Sequence, residues 1–297
     1  MVPGEGNQPD SQNRTETQEG CEEMGNHRTT AALMRMCRLH RFGDDRLFIV
    51  PLDHSVADGP ILPGDQLDPL IGTLADNGVD AVVLHKGRVP FVDPRRFADI
   101  GLIVHLSAST MHAPDPDAKY LVASVETAVR LAADAVSVHV NLGSDDESTQ
   151  IADLSAVADA CATWRVPLLA MMYPRGPRIT DPRDPVLLAH AASLATDLGA
   201  DIVKLPWAHN AAEMKDVVRQ SAIPVITAGG PVERDLSGIL SQVSHMLDGG
   251  TAGVAMGRNV FQAADPGKVA RRVAELVHPS LGFDAEFSAG PALLAPS

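Results

Sequence analysis

A lysine stands inside an apolar run in the stretch GADIVKLPW, Gly199 to Trp207. The neighbours Ala200, Ile202, Val203, Leu205 and Pro206 read as a buried β-strand that includes Lys204. Lysine is rarely buried without a partner, because removing its charge from water is costly. A buried lysine tends toward the neutral amine, and a neutral amine is a nucleophile. The competing reading is a strand-end lysine whose head reaches water. The chain holds five lysines: Lys86, Lys119, Lys204, Lys215 and Lys268. Three of them fall in expected helices or loops, where a solvated role suffices. Only Lys86 and Lys204 stand at strand ends. Lys86 precedes Gly87 and suits anion binding or a carboxylate partner.

Other reactive side chains cluster at the ends of apolar runs. Asp53 and His54 follow the first run, His85 and Lys86 the second, His105 and Ser107 the third, His139 and Asn141 the fourth. Tyr173 and Arg175 close the fifth, Lys204 lies in the sixth, and Gly229-Gly230 and Gly257-Arg258-Asn259 end the last two. Glycines at such turns let backbone N–H groups approach a phosphate, and Arg258 adds a charge-assisted donor. A phosphate clamp beside a buried amine suggests Schiff-base chemistry on a phosphorylated ketone or aldehyde. Tyr173, one of two tyrosines, would serve as general acid/base. Asp53 would stabilise the iminium or move a proton. His54 and Arg175 complete the substrate-binding candidates, with Arg175 suited to a carboxylate through its bidentate fork. The histidines offer a second reading: His54, His85, His105 and His139 on four consecutive strands could ring a zinc ion. No HxH or HExxH spacing supports it, and the expected metal and cofactor set is none.

These residues need a scaffold that gathers strand ends. Eight continuous apolar runs supply one: 48–54, 81–87, 102–108, 135–141, 168–174, 202–207, 224–230 and 253–258. Continuous rather than alternating runs suit parallel strands buried on both faces. Helical segments are expected over 69–77, 121–132, 147–164, 185–198, 233–247 and 266–277, several ending at glycine. The series predicts a (β/α)8 TIM barrel over residues 29–278, whose active site lies at the C-terminal ends of the strands. An open doubly wound sheet is the alternative, but no GxGxxG follows the first strand. Residues 1–28 read as a disordered tail and 279–297 as an irregular one.

Composition narrows the partners. A formal net charge of −14 argues against a nucleic-acid backbone. No apolar run is long enough to span a bilayer. The three cysteines, Cys21, Cys37 and Cys161, are odd in number and lack a CxxC, which suggests neither a zinc knuckle nor a disulfide framework. A soluble cytoplasmic protein is expected.

Taken together, PLDHSVADGP, VVLHKG, GLIVHLSAST, AVSVHVNLGSDDE, PLLAMMYPRG, GADIVK, AGGP and GVAMGRNVFQ resemble the class I aldolase group that includes archaeal-type fructose-bisphosphate aldolase. Within that group they resemble the branch making aminodeoxyheptulosonates from aspartate semialdehyde. The resemblance runs from about Phe48 to about Gln262. It implies Lys204 as the Schiff-base lysine, Tyr173 as general acid/base, Asp53 as the catalytic aspartate, and the AGG and GRN turns as the phosphate site. It also implies metal-independent chemistry on small phosphorylated ketose and aldehyde substrates, in a homo-oligomer. The sequence departs from the group after the lysine, where Leu205-Pro206-Trp207 replaces a KTxYT-like run, and after Asp53-His54, where Ser55 replaces glycine. The nearest alternatives are a transaldol reaction from 6-deoxy-5-ketofructose 1-phosphate, fructose-bisphosphate cleavage, an acyl-transferring thiolase branch, and a non-catalytic barrel that binds a phosphometabolite.

Overall fold

The computed structural model describes residues 29–233 and 235–280. The tail expected over 1–28 lies outside the described residues, and so does all but residues 279 and 280 of the tail expected over 279–297. The eight apolar runs form eight parallel strands: β1 (Leu47–Pro51), β2 (Ala81–His85), β3 (Gly101–His105), β4 (Ala135–Leu142), β5 (Leu168–Pro174), β6 (Ile202–Leu205), β7 (Val225–Ala228) and β8 (Gly253–Ala255). Each pairs with its sequence neighbours, and β8 pairs with β1 to close the barrel. The closing seam needs a glycine. A Cβ on Gly253, at φ +150°, would lie 2.0 Å from the Leu47 carbonyl oxygen.

Two cores follow from strand alternation. Leu47, Ile49, Ala81, Val83, Ile103, Ala135, Leu169, Met171, Ile202, Ile226 and Ala255 fill the lumen. Their alternates, such as Val50, Val82, Val104 and Val203, face the surrounding helices. The α-helices longer than four residues are α1 (Thr30–Leu39), α2 (Leu67–Asp76), α3 (Val125–Arg130), α4 (Glu147–Trp164), α5 (Pro185–Asp197), α6 (Ala211–Gln220), α7 (Leu236–Asp248) and α8 (Pro266–Val277). The sequence reading did not include α1 or α6. Between β2 and β3 the chain forms only two short 3₁₀ turns, Val89–Phe91 and Pro94–Ala98. Pro90 and Pro94, four residues apart, deny an α-helix the amide hydrogens it needs there.

The lower end of the barrel is built for stability. Asp80, Asp134 and Asp201 each stand just before β2, β4 and β6. Each accepts a hydrogen bond from the backbone N–H at or beside the start of the preceding strand: Phe48 (2.6 Å), Leu102 (2.9 Å) and Leu168 (2.8 Å). The helix α1 plugs this end with Met36 and Leu39, both 1% exposed and packed with the lumen residues. Arg38 Nε donates to Asp134 Oδ1 at 2.5 Å. His278, after α8, is buried between Asp44 (Nδ1–Oδ2, 2.8 Å) and Asp80 (Nε2–Oδ2, 2.9 Å). Burial opposes its charge, but the two carboxylates outweigh burial and raise its pKa to about 9.

The upper end carries the loops. A two-stranded ribbon pairs Ser107–Ala108 with Tyr120–Leu121. It folds the intervening loop back toward the mouth, where Met111 N–H reaches the Ala57 carbonyl at 3.1 Å.

Candidate active site

The C-terminal ends of the strands enclose a cavity of about 1070 Å³. Asp53, His54, His85, His105, His139, Tyr173, Arg175, Lys204, Gly229, Gly230, Gly257 and Arg258 all line it. Lys204 is there by periodicity. Ile202 points into the lumen, so the residue two positions on does too. In register, Lys204 stands beside Met171 of β5 and Ile226 of β7. Tyr173 lies two residues above Met171, and the Lys204 Nζ is 5.9 Å from its ring centroid. The lysine is 7% exposed, a position that a solvated surface role does not require.

Lys86 is the exception among the expected site residues. Ala81, Val83 and His85 face inward, so Lys86 turns away from the lumen. Its ammonium donates to the Val122 carbonyl, and it is not among the cavity residues. The structure thus places Lys86 apart from the other expected site residues.

Asp53 sits at the centre of an imidazole cluster. Its carboxylate lies 3.6 Å from His54 Nδ1 and 3.8 Å from His105 Nε2. Burial pushes the Asp53 carboxyl up, but the combined fields of His105, His54, Lys204 and His85 hold it below its ordinary value. The same burial pushes the imidazoles down: His105 to about 4, His139 well below its usual range, and His54 and His85 lower than ordinary. Near neutral pH the site therefore presents one carboxylate among neutral rings. The rings are partnered separately. His105 Nδ1 shares a 2.8 Å hydrogen bond with Ser137 Oγ, His85 and His105 meet edge to face at 5.3 Å, and His54 meets the Phe261 ring at 5.6 Å. Among the described residues no group of three or more His, Cys, Asp or Glu side chains is placed to hold a metal ion.

His139 stacks on Tyr173 with centroids 4.8 Å apart. Its Nε2 lies 2.8 Å from Asn141 Oδ1, while Asn141 Nδ2 donates to the Asp117 carbonyl at 2.8 Å. That second bond orients the amide, so His139 carries its proton on Nε2. The stacked ring fixes the plane of Tyr173 beside Lys204.

The turns after β7 and β8 are locked to each other. Asn259, 5% exposed, accepts from Glu233 N–H at 2.8 Å and donates to the carbonyls of Gly229 (3.2 Å) and Pro231 (3.0 Å). Gly230 has φ +64°, and a Cβ there would meet Gln242 Nε2 at 2.2 Å. Arg258 lines the same side of the cavity.

The sequence reading missed three cavity residues on the ribbon loop: Ser109, Asp117 and Lys119. Lys119 read as a solvated loop lysine. It is half-buried, and nothing in DPDAKYLV announces that the loop folds inward.

Residues 47–263 match the DeoC/LacD family aldolases. The chain belongs to that family. The family match spans every barrel strand, from β1 through β8, and thus every cavity residue named above. Within the family, the chain is 59% identical over 250 residues to the 2-amino-4,5-dihydroxy-6-oxo-7-(phosphonooxy)heptanoate synthase of Streptomyces griseus, covering 84% of this chain and 91% of that protein. It is 41% identical over 245 residues to the 2-amino-3,7-dideoxy-D-threo-hept-6-ulosonate synthase of Halobacterium salinarum, covering 82% and 91%. Among solved structures, a Schiff-base-forming fructose-1,6-bisphosphate aldolase superposes with a TM-score of 0.73 at 29% identity, covering 82% of this chain and 99% of that one. This aldolase therefore has the (β/α)8 fold of its family, and the open-sheet alternative is set aside.

Proposed function

We propose that this aldolase joins dihydroxyacetone phosphate to L-aspartate 4-semialdehyde through a Schiff base on Lys204. The observation that carries the proposal is the placement of Lys204: a lysine buried at the lumen's upper end, close to the ring of Tyr173 on β5 and acting on the carboxylate of Asp53 after β1. The 59% identity to a synthase whose named product is a seven-carbon amino acid phosphate supports the substrate pair. A three-carbon donor and a four-carbon acceptor sum to that skeleton.

In this reading the Lys204 amine adds to the donor ketone, and loss of water gives an iminium. Its positive charge lies in the field of Asp53. The iminium acidifies the neighbouring C–H, whose proton leaves to a base, and the resulting enamine attacks the acceptor aldehyde. Tyr173 is placed to give and take these protons, including the one that the new alkoxide requires. Hydrolysis of the product iminium returns the water and frees Lys204. The donor phosphate rests against the Gly229-Gly230 and Gly257-Arg258 turns. His54, beside Gly257, packs under that phosphate side; a Cβ on Gly257 would lie 2.9 Å from its Cε1. We place the enzyme in the cytoplasm as a homo-oligomer on the strength of the family resemblance. No helix among the described residues is long and apolar enough to cross a membrane.

The test is donor choice. With aspartate semialdehyde as acceptor, dihydroxyacetone phosphate should be consumed and a seven-carbon phosphate should appear. Turnover with 6-deoxy-5-ketofructose 1-phosphate alone would instead assign the transaldol reaction.

A further inference from the structure

We propose that Asp117, Lys119 and Arg175 form a subsite for the α-amino-acid head of the acceptor. Its carboxylate lies on Lys119 and Arg175, and its ammonium on Asp117. The inference rests on the aldol reading above and goes beyond it, because it assigns the ribbon loop a role in choosing the acceptor.

The loop is built rather than draped. The Asp117 carbonyl accepts from Asn141 Nδ2 at 2.8 Å and from Gln150 Nε2 at 3.1 Å, and both amide residues are at most 1% exposed. Gln150 also receives Asn141 N–H on its Oε1 at 2.9 Å, which ties β4 to α4 beneath the loop. Lys119 is held by the Ser109 hydroxyl and by the Pro116 carbonyl at 3.0 Å. Ser109 in turn donates to the Pro116 carbonyl at 2.7 Å. An ammonium has three N–H groups, so one remains for a ligand.

Charge gives the second line of argument. Lys119 and Arg175 line the same cavity although both are cations. Burial, and then the nearby Arg175, push the Lys119 ammonium below its ordinary value. The carboxylates of Asp117, Asp58 and Asp115 offset that in part, and a ligand carboxylate set between the two cations would be held by both. The Arg175 guanidinium lies 5.4 Å from the Tyr173 ring centroid, which keeps its fork next to the acid/base group.

Topology supplies the third. The groups that suit the donor phosphate follow β7 and β8, whereas Asp117 and Lys119 follow β3 and Arg175 follows β5. In the closed eight-strand barrel β3 lies nearly opposite the β7–β8 side, and β5 stands next to β6, which carries Lys204. A bifunctional acceptor with its aldehyde at the lysine would then extend its zwitterionic head toward the ribbon loop, away from the phosphate.

The experiment compares three acceptors with dihydroxyacetone phosphate: L-aspartate 4-semialdehyde, succinate semialdehyde without the amine, and butanal with neither charge. Lys119→Met should raise KM for the first two about 10- to 100-fold, as expected for a lost charge-assisted hydrogen bond. It should leave butanal and the donor KM unchanged. Lys119→Arg should restore most of the loss. Asp117→Asn should raise KM for aspartate semialdehyde alone and narrow its advantage over succinate semialdehyde. Equal effects of Lys119→Met on all three acceptors and the donor, or no effect on any, would overturn the subsite while the aldol reading stands, provided the wild type still traps donor on Lys204 with borohydride. Absence of both trapping and turnover in the wild type would overturn the aldol reading and the subsite with it.

Discussion

Lys204, Tyr173 and Asp53 were legible as single residues because two rules act together. Side chains two apart on a strand share a face, and barrels place their chemistry at strand ends. The same rule, applied one residue off, explains Lys86: it follows the inward His85 and so turns outward. Lys119 escaped because loop direction is not written in a local pattern. Two predictions belong at this scale. Lys204→Met should abolish turnover without lowering the melting temperature, since it exchanges a buried amine for an apolar side chain of similar length; melting curves and activity assays check both halves. Tyr173→Phe should lower kcat by about 10²- to 10⁴-fold, the usual contribution of a positioned acid/base, with little change in KM. A drop in KM-dependent affinity at constant kcat would reassign Tyr173 to binding.

At the scale of elements, glycine stops and proline starts made most helices readable, and α4 and α8 have the bounds that their sequence implies. The missing helix between β2 and β3 follows from Pro90 and Pro94. The clasp that fastens α8 to the barrel bottom was not readable, because Asp44, Asp80 and His278 are far apart in sequence. It has a pH signature. His278 is raised to about 9, so its stabilisation is complete below its ordinary value of 6.5 and is lost as pH rises through about 9. Asp44, lowered by the His278 bond and charge against the pull of burial, keeps its stabilisation above its ordinary 3.8 and loses it as pH falls further. His40, pushed down by burial, lies near Asp80 and remains neutral through this window. The melting temperature of the wild type should therefore fall from about pH 7 to pH 10. His278→Gln should flatten that slope and cost about 3 kcal/mol near neutrality, as for a broken buried pair. An unchanged slope would show that other groups set it.

For the whole molecule, the negative net charge concealed the cations that line the cavity. Lys119, Arg175, Arg183 and Arg258 converge on one cavity in a chain of net charge −14. The barrel itself was legible from eight apolar runs, whereas its plug was not, since α1 shows few buried positions of its own. Its contribution lies in Met36 and Leu39 sealing the lumen. Leu39→Ala should cost about 2–5 kcal/mol, as for other fully buried leucines, and chemical denaturation would measure it.

The central claim is that Lys204 is the nucleophile, and one measurement addresses it most directly. The enzyme is incubated with dihydroxyacetone phosphate, reduced with borohydride and mapped by peptide mass, with and without a chelator. A reduced adduct on Lys204, indifferent to the chelator, is the expected result. An adduct on another lysine, or no adduct together with chelator-sensitive turnover, would contradict the account and move the chemistry away from β6.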